Sequence, residues 1–236
     1  MHKPAWQFLA LALLSAACSI TFGDMKEPAS SEGLVSFQLS SNIRVLKLDT
    51  FNGVFEVVER APDANDNLVV SGESKIWASA NTKLEAEARV AEMEWVYSER
   101  GDVGTITITR PSGRSGSPGG SLRSLSIPAG LALELDSSNG NLEITGNFHD
   151  FKLDTSNGRI TAQLDDGWSG RGVAVTANGR IAIRCEGKLD CRLDMKTGNG
   201  NPKVLGPPLN KDTGTGSLRL RTSNGHIVVT HLFDSE

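Results

Sequence analysis

Asp165, Asp166 and Trp168 are the residues here with the clearest chemical potential, because two carboxylates beside an indole are the parts of a glycan-cleaving site. Two-carboxylate hydrolysis needs its acids about 5 to 9 Å apart across a sugar. Neighbours on a strand point to opposite faces, so a turn entering Gly167-Trp168-Ser169-Gly170 accounts for the pair without an active site. A second set is Asp49, Asp136, Asp154 and Asp194, which precede related motifs and could form a calcium or carbohydrate ladder, with Thr176 and Arg221 interrupting it. Aspartates hydrogen-bonded to their own turns give the same spacing. His149, His226 and His231 lie near no nucleophile, no Gly-x-Ser-x-Gly elbow occurs, and the GSPGG run lacks the lysine of a phosphate loop. These residues predict no catalytic group, no metal and no cofactor.

Three cysteines carry the remaining chemistry. Residues 1–17 read as an export signal: His2 and Lys3 open it, Phe8 to Leu14 is apolar, and Ser15-Ala16-Ala17 are small. The apolar run is far short of the roughly 20 residues that span a bilayer. Cys18 follows at once, and Leu14-Ser15-Ala16-Ala17-Cys18 resembles a bacterial lipobox, in which the cysteine is acylated and becomes the mature N-terminus. Ser15 stands where that motif usually has leucine, so cleavage after Ala17 without acylation is the alternative. Acyl chains each contribute about 0.8 kcal/mol per buried methylene, so a multiply acylated start holds a domain on a membrane. Ser19 after the cysteine resembles outer-membrane rather than inner-membrane lipoproteins. Cys185 and Cys191 then remain as a pair for a disulfide in an oxidising compartment, with two buried free thiols as the alternative.

The elements that must position these residues are repeated. LALELDSSNGNLEI at 131–144, FKLDTSNGRI at 151–160, VAVTANGRIAI at 173–183, CRLDMKTGNGNPKV at 191–204 and LRLRTSNGHIVV at 218–229 each give a strand, an Asn-Gly corner and a second strand. The corners are Asn139-Gly140, Asn157-Gly158, Asn178-Gly179, Asn199-Gly200 and Asn224-Gly225, spaced 18, 21, 21 and 25 residues apart, and Asn52-Gly53 in LKLDTFNGVFEV at 46–57 is an earlier copy. That period belongs to solenoids, in which stacked units bury a shared apolar side. Leu133 and Leu135 with Leu142 and Ile144, Leu153 with Ile160, Val173 and Val175 with Ile181 and Ile183, and Leu218 and Leu220 with Ile227 and Val229 are the expected inward residues. Asn-Gly is also the strongest hairpin signal, so an antiparallel β-meander or sandwich is the alternative to an all-β solenoid. Pro202 and the run PKVLGPPLNKDTGTGS at 202–217 break the pattern and predict a loop bulging from the last units.

Before the repeats, residues 18–33 read as a flexible tether, residues 34–110 as short strands with a helix over 82–94, residues 111–121 as a Gly/Ser/Pro linker, and 122–232 as the repeat domain. Thr82 and Glu85 fit a capping box, and Leu84, Ala88, Ala91 and Trp95 supply the helix's apolar stripe. This order of strands, Ala/Glu-rich helix, Thr/Ile strand closing at Arg110-Pro111, and Ile127-Pro128-Ala129-Gly130-Leu131 leading into SSNG, TSNG, ANG and TSNG corners resembles the bacterial putative adhesin family. The likeness covers roughly 43–232 and implies a cell-envelope β-solenoid of unknown molecular function.

A net charge of −4 with mixed signs predicts no nucleic-acid partner. The expectations are a non-catalytic adhesive or scaffolding surface for protein or glycan, a membrane contact through the N-terminal lipid, and end-to-end self-association through an uncapped terminal unit. A carbohydrate-active enzyme on the same scaffold and a periplasmic assembly or stress accessory are the alternatives. The address is the outer membrane, or a soluble periplasmic or secreted form.

Overall fold

The computed structural model describes residues 26–61, 68–111, 117–206 and 214–231. In chain order the elements begin with β1 (Glu27–Gln38), β2 (Val45–Asn52), β3 (Phe55–Arg60), β4 (Val69–Ala80), α1 (Lys83–Ala91), β5 (Trp95–Arg100), β6 (Val103–Ile108) and β7 (Gly119–Pro128). The corner units follow: β8 (Ala132–Asn139) with β9 (Leu142–Thr145), β10 (Asp150–Asn157) with β11 (Ile160–Leu164), and β12 (Arg171–Asn178) with β13 (Ile181–Cys185). The last two are β14 (Cys191–Asn199) with β15 (Pro202–Leu205), and β16 (Gly216–Asn224) with β17 (Ile227–His231). The described residues are thus nearly all β with one short helix.

Two mixed, open sheets result. One has nine strands in the order β1-β4-β7-β3-β9-β11-β13-β17-β15, and the other eight in the order β14-β16-β12-β10-β8-β2-β6-β5. In each corner unit the first strand lies in the eight-stranded sheet and the second in the nine-stranded sheet, and each pairs in parallel with its counterparts in neighbouring units. The hairpin alternative therefore fails for these units, because strands joined by an Asn-Gly corner are not bonded to each other. Inward residues from both sheets form one continuous core of Leu, Ile, Phe and Val.

Stack order and chain order part at the end. The last unit in sequence, β16/β17, lies between β12/β13 and β14/β15, so β14/β15 occupies the edge of both sheets. Pro202 opens β15, and a proline that cannot donate to a ladder is tolerated on an edge strand. The apolar columns Leu218, Leu220, Ile227 and Val229 are fully buried inside the stack instead. The expected bulge at 202–217 is corrected accordingly: residues 202–205 are strand, while 207–213 lie outside the described residues.

One inward column is also corrected. In β12 the buried residues are Gly172, Ala174 and Thr176, while Val173 and Val175 face outward. Gly172 sits where a Cβ would meet the Phe151 ring at 2.3 Å and Leu218 at 2.7 Å, so the small residue makes room for its larger neighbours.

The other end of the stack is closed. β6 extends the eight-stranded sheet beside β2 in parallel, and β5 returns antiparallel; β7, β4 and β1 extend the nine-stranded sheet beyond β3. Glu27 already opens β1, so the tether expected over 18–33 is strand from that residue on. Gly119 likewise begins β7 inside the expected linker 111–121. The helix is shorter than the predicted 82–94 but capped as expected, with Thr82 Oγ1 accepting the Glu85 N–H at 3.2 Å. Its buried face is Ala86 with Val90 and Met93, whereas Leu84 is 77% exposed, so the stripe through Leu84, Ala88 and Ala91 is the solvent side. Phe55 and Trp95, 6.1 Å apart, and Phe37 and Tyr97, 6.0 Å apart, fill this end with aromatic bulk.

Candidate functional site

The corners of neighbouring units are bonded to one another along the stack. Asn139 Nδ2 donates to Asn52 Oδ1 at 2.8 Å, Asn157 to Asn139 at 2.8 Å, Asn178 to Asn157 at 2.9 Å, Asn224 to Asn178 at 2.8 Å and Asn199 to Asn224 at 2.7 Å. Beneath this ladder a second runs from the hydroxyls of Ser137, Thr155, Thr176, Thr222 and Thr197 to the carbonyl of the neighbouring unit's corner glycine, at 3.0–3.4 Å. A Cβ on any of the six corner glycines would fall 1.5–1.9 Å from a glycine carbonyl oxygen next to it. Glycine is needed at all six corners for close stacking, and at Gly200 also for its φ of +153°.

These corners fix the outward columns of the eight-stranded sheet in register. Three places before each corner asparagine, the order along the stack is Asp49, Asp136, Asp154, Val175, Arg221, Lys196. Carboxylates therefore gather on one half of the face and cations on the other. Partial burial and the adjacent Asp136 carboxylate push the Asp49 and Asp154 carboxyls up. On the basic half, Arg171 grips Asp150 with two bonds, at 3.0 and 2.9 Å, and Asp194 pairs with Arg221 and Arg219. Hydrogen bonds from those guanidinium groups hold the Asp150 and Asp194 carboxyls down.

Where the two halves meet, a trough of ≈ 500 Å³ runs beside the corners, with Asp154 on one wall, Lys196 and Arg221 on the other, and Ser156, Ala177, Ser223 and Gly198 along its floor. A second trough of ≈ 470 Å³ is lined by Arg171, Arg192 and Arg219 around Ser217. Sequence reading missed this basic half. Counting back a fixed number of residues from each asparagine would have found it, since that count places Val175, Arg221 and Lys196 in the column with the aspartates.

The residues singled out from sequence fall as follows. Asp49, Asp136 and Asp154 do form adjacent rungs, but Asp194 belongs two residues earlier, in register with Arg219, and Thr176 is buried instead of interrupting the column. Among the described residues no group of three or more His, Cys, Asp or Glu side chains is placed to hold a metal ion. Trp168 is 1% exposed, its indole N–H donates to the Phe148 carbonyl at 2.7 Å and its ring lies 5.6 Å from Phe151, so it is core and no sugar platform. Asp166 accepts the Lys188 N–H at 2.6 Å beside Gly167, whose φ of +73° marks a tight turn. Cys185 and Cys191 are buried free thiols, with no bridge between them. Burial pushes the Cys185 thiol up and the Cys191 thiol to about 12. The export signal and Cys18 lie outside the described residues. Among the described residues no helix is long and apolar enough to cross a membrane.

Fold and face together define a repeat-built β protein that presents an ordered, charge-divided surface. No protein family matches the chain, and no curated protein does. Among solved structures it is similar to a putative cell adhesion protein from Clostridium sporogenes ATCC 15579, with a TM-score of 0.51 and 12% identity over 87% of this chain and 100% of that one. A putative adhesin from Bacteroides fragilis NCTC 9343 aligns over 86% of this chain and 97% of its own, with a TM-score of 0.33 and 8% identity. At such identity the first likeness bears on the fold alone, and the second carries no argument.

Proposed function

We propose that this chain is an exported cell-envelope protein, anchored through an acylated Cys18, whose corner units form a two-sheet β-solenoid with a non-catalytic adhesive or scaffolding face. The observation that supports this reading is the outward surface of the eight-stranded sheet, where in-register corners hold acidic and basic columns on either side of a small-residue trough. A periodic surface of that kind suits an extended protein or glycan better than a small molecule, since its polar groups recur along the stack instead of converging on one point. The name of the Clostridium sporogenes neighbour accords with an adhesive role.

Adhesion is tested by coating beads with the full chain and scoring capture on arrays of envelope and host glycans and on immobilised envelope proteins. Ala177→Glu, at an exposed floor position, is expected to cut capture at least about fivefold with unchanged melting, while Ala177→Ser retains it. Equal capture by both variants, or capture by neither parent nor variant, sinks the adhesive face. The anchor is tested separately by intact mass from membranes, where a diacylglyceryl-modified Cys18 start is expected and an unmodified start rejects it.

A further inference from the structure

The unit β14/β15 has a neighbour on one side only among the described residues, and the strand at that edge is self-complementary. The Gly216 N–H donates to the Asp190 carbonyl at 3.1 Å. By strand alternation the even-numbered residues of β14 then bond toward β16, and Leu193 and Met195 turn their N–H and C=O groups to the open edge. Their side chains point inward, Leu193 buried and Met195 half-buried, and Val204 and Leu205 in β15 are likewise incompletely covered. Edge strands are normally guarded by unpaired charges, proline, bulges or cover. Here the outward residues alternate instead: Asp190, Arg192, Asp194, Lys196.

We propose that this edge pairs antiparallel with the same edge of a second copy, about a twofold axis through Leu193. In that register Asp190 faces Lys196 of the second copy, Arg192 faces Asp194, and both pairs are repeated by symmetry. All four cross-strand charge pairs are of opposite sign. Leu193 meets its own copy as a hydrogen-bonded pair, using the N–H and C=O groups that point outward. Arg192 and Asp194 then fall at non-hydrogen-bonded positions, where opposing side chains come closest. An axis normal to the sheets keeps the two layers of each copy in line. A shift of the register by two residues places Asp194 opposite Asp190 and Arg192 opposite itself, so charge selects the Leu193 register. The opposite edges of the two sheets are the antiparallel strands β1 and β5, which lack this alternating self-complementary row of charges. The partner is therefore a second copy meeting head to head, and the assembly stops at two. This contact shares Lys196 with the trough proposed for adhesion but leaves its floor at Ala177 free, so the capture assay with Ala177→Glu and the dimer assay read different residues.

Sedimentation velocity of the full chain in mild detergent, between about 1 and 100 µM, tests the pairing. The parent chain is expected to show a concentration-dependent dimer. Arg192→Asp and Asp194→Arg each place two like-charge pairs across the axis and are expected to weaken it at least about tenfold. An equimolar mixture of those two variants restores every opposite-sign pair, and the heterodimer is expected within about threefold of the parent affinity. Asp194 also holds Arg219 and Arg221, so Lys196→Asp serves as a second disruptive variant that leaves those ion pairs in place. A parent chain that stays monomeric, an Arg192→Asp or Lys196→Asp chain that dimerises like the parent, or a mixture that fails to restore dimers, with folded variants by circular dichroism, overturns the proposal.

Discussion

The two ends of the stack are built from the same corner chemistry and differ in how it stops. At the first end, Asn52 Nδ2 donates to the Pro118 carbonyl at 2.8 Å and Thr50 Oγ1 to the Gly120 carbonyl at 3.2 Å, so the segment leading into and opening β7 imitates one more corner without being a repeat. Antiparallel strands, a helix and four aromatic rings then close the core. At the last end Asn199 donates to Asn224, and among the described residues nothing donates to Asn199 Oδ1 in turn. Repetition supplies lateral stability but no way to end. A foreign element must finish it, and only one end has such an element within the described chain.

Core truncation gives the largest expected separation between the ends. Phe55 is fully buried beneath the cap and packs on Trp95, so Phe55→Ala is expected to cost about 3–5 kcal/mol in denaturant unfolding. Leu205, 49% exposed at the open end, is expected to cost no more than about 0.5 kcal/mol when changed to Ala. Similar losses at both sites would mean that the last unit is as firmly packed as the first.

Corner glycines come next. Gly158→Ala forces a Cβ to within 1.9 Å of the Gly140 carbonyl, and the stack holds that corner from both sides, so a loss of about 3 kcal/mol is expected. Gly200 faces an equally short approach to the Gly225 carbonyl and has a φ of +153° that alanine adopts poorly, but its unit can move away from the stack, and about 2 kcal/mol is expected there. The ladder itself separates the ends by less. Asn157 both donates and accepts, so Asn157→Ala is expected to cost about 1 to 1.5 kcal/mol, against about 0.5 kcal/mol for Asn199→Ala, which loses a single bond. Thermal and denaturant melts of the four variants check both contrasts.

Much of this was legible in the residues. Each Asn-Gly pair joins two strands, and Leu133, Leu135, Leu153, Leu218 and Leu220 face inward as their spacing requires. The error at Val173 and Val175 came from treating β-branched apolar residues as core. Parity counted from Asn178 gives Thr176, Ala174 and Gly172, and the packing of Phe151 over Gly172 explains why small residues were selected there. The helix face was misjudged for a related reason: Leu84 looked like an anchor, yet Ala86 fits where the helix lies close on its sheet. The exchange of the last two units was beyond local reading, since parallel pairing between β12 and β16 skips an entire unit. Pro202 was its one local trace. The candidate face was legible as an acidic column and illegible as a divided surface, because its basic half appears only once Arg221 and Lys196 are placed in stack order.

The smallest expected effect sharpens that division. Asp154 stands directly beside Asp136 on the next strand, and burial with this like charge raises its carboxyl above the unfolded value. A carboxyl with a raised folded pKa contributes stability below the unfolded pKa and loses that contribution as pH rises through the folded one. At pH 7 the acidic half is therefore self-repelling, and Asp154→Asn is expected to raise Tm by about 1–2 °C, an advantage that vanishes as pH falls through the carboxylate range. Asp194 has the opposite sign: its carboxyl is held low by Arg221 and Arg219, so its contribution is present above the unfolded value and is lost as pH falls through the folded one. Asp194→Asn is expected to lower Tm slightly at pH 7 and to match the parent in acid. Melting curves of both variants from pH 7 down to about pH 3 decide the point. Parallel pH profiles for the two would mean that the acidic and basic halves do not act as separate electrostatic regions, whereas profiles that converge on the parent from opposite sides tie the pH response of the face to the stacking order of its units.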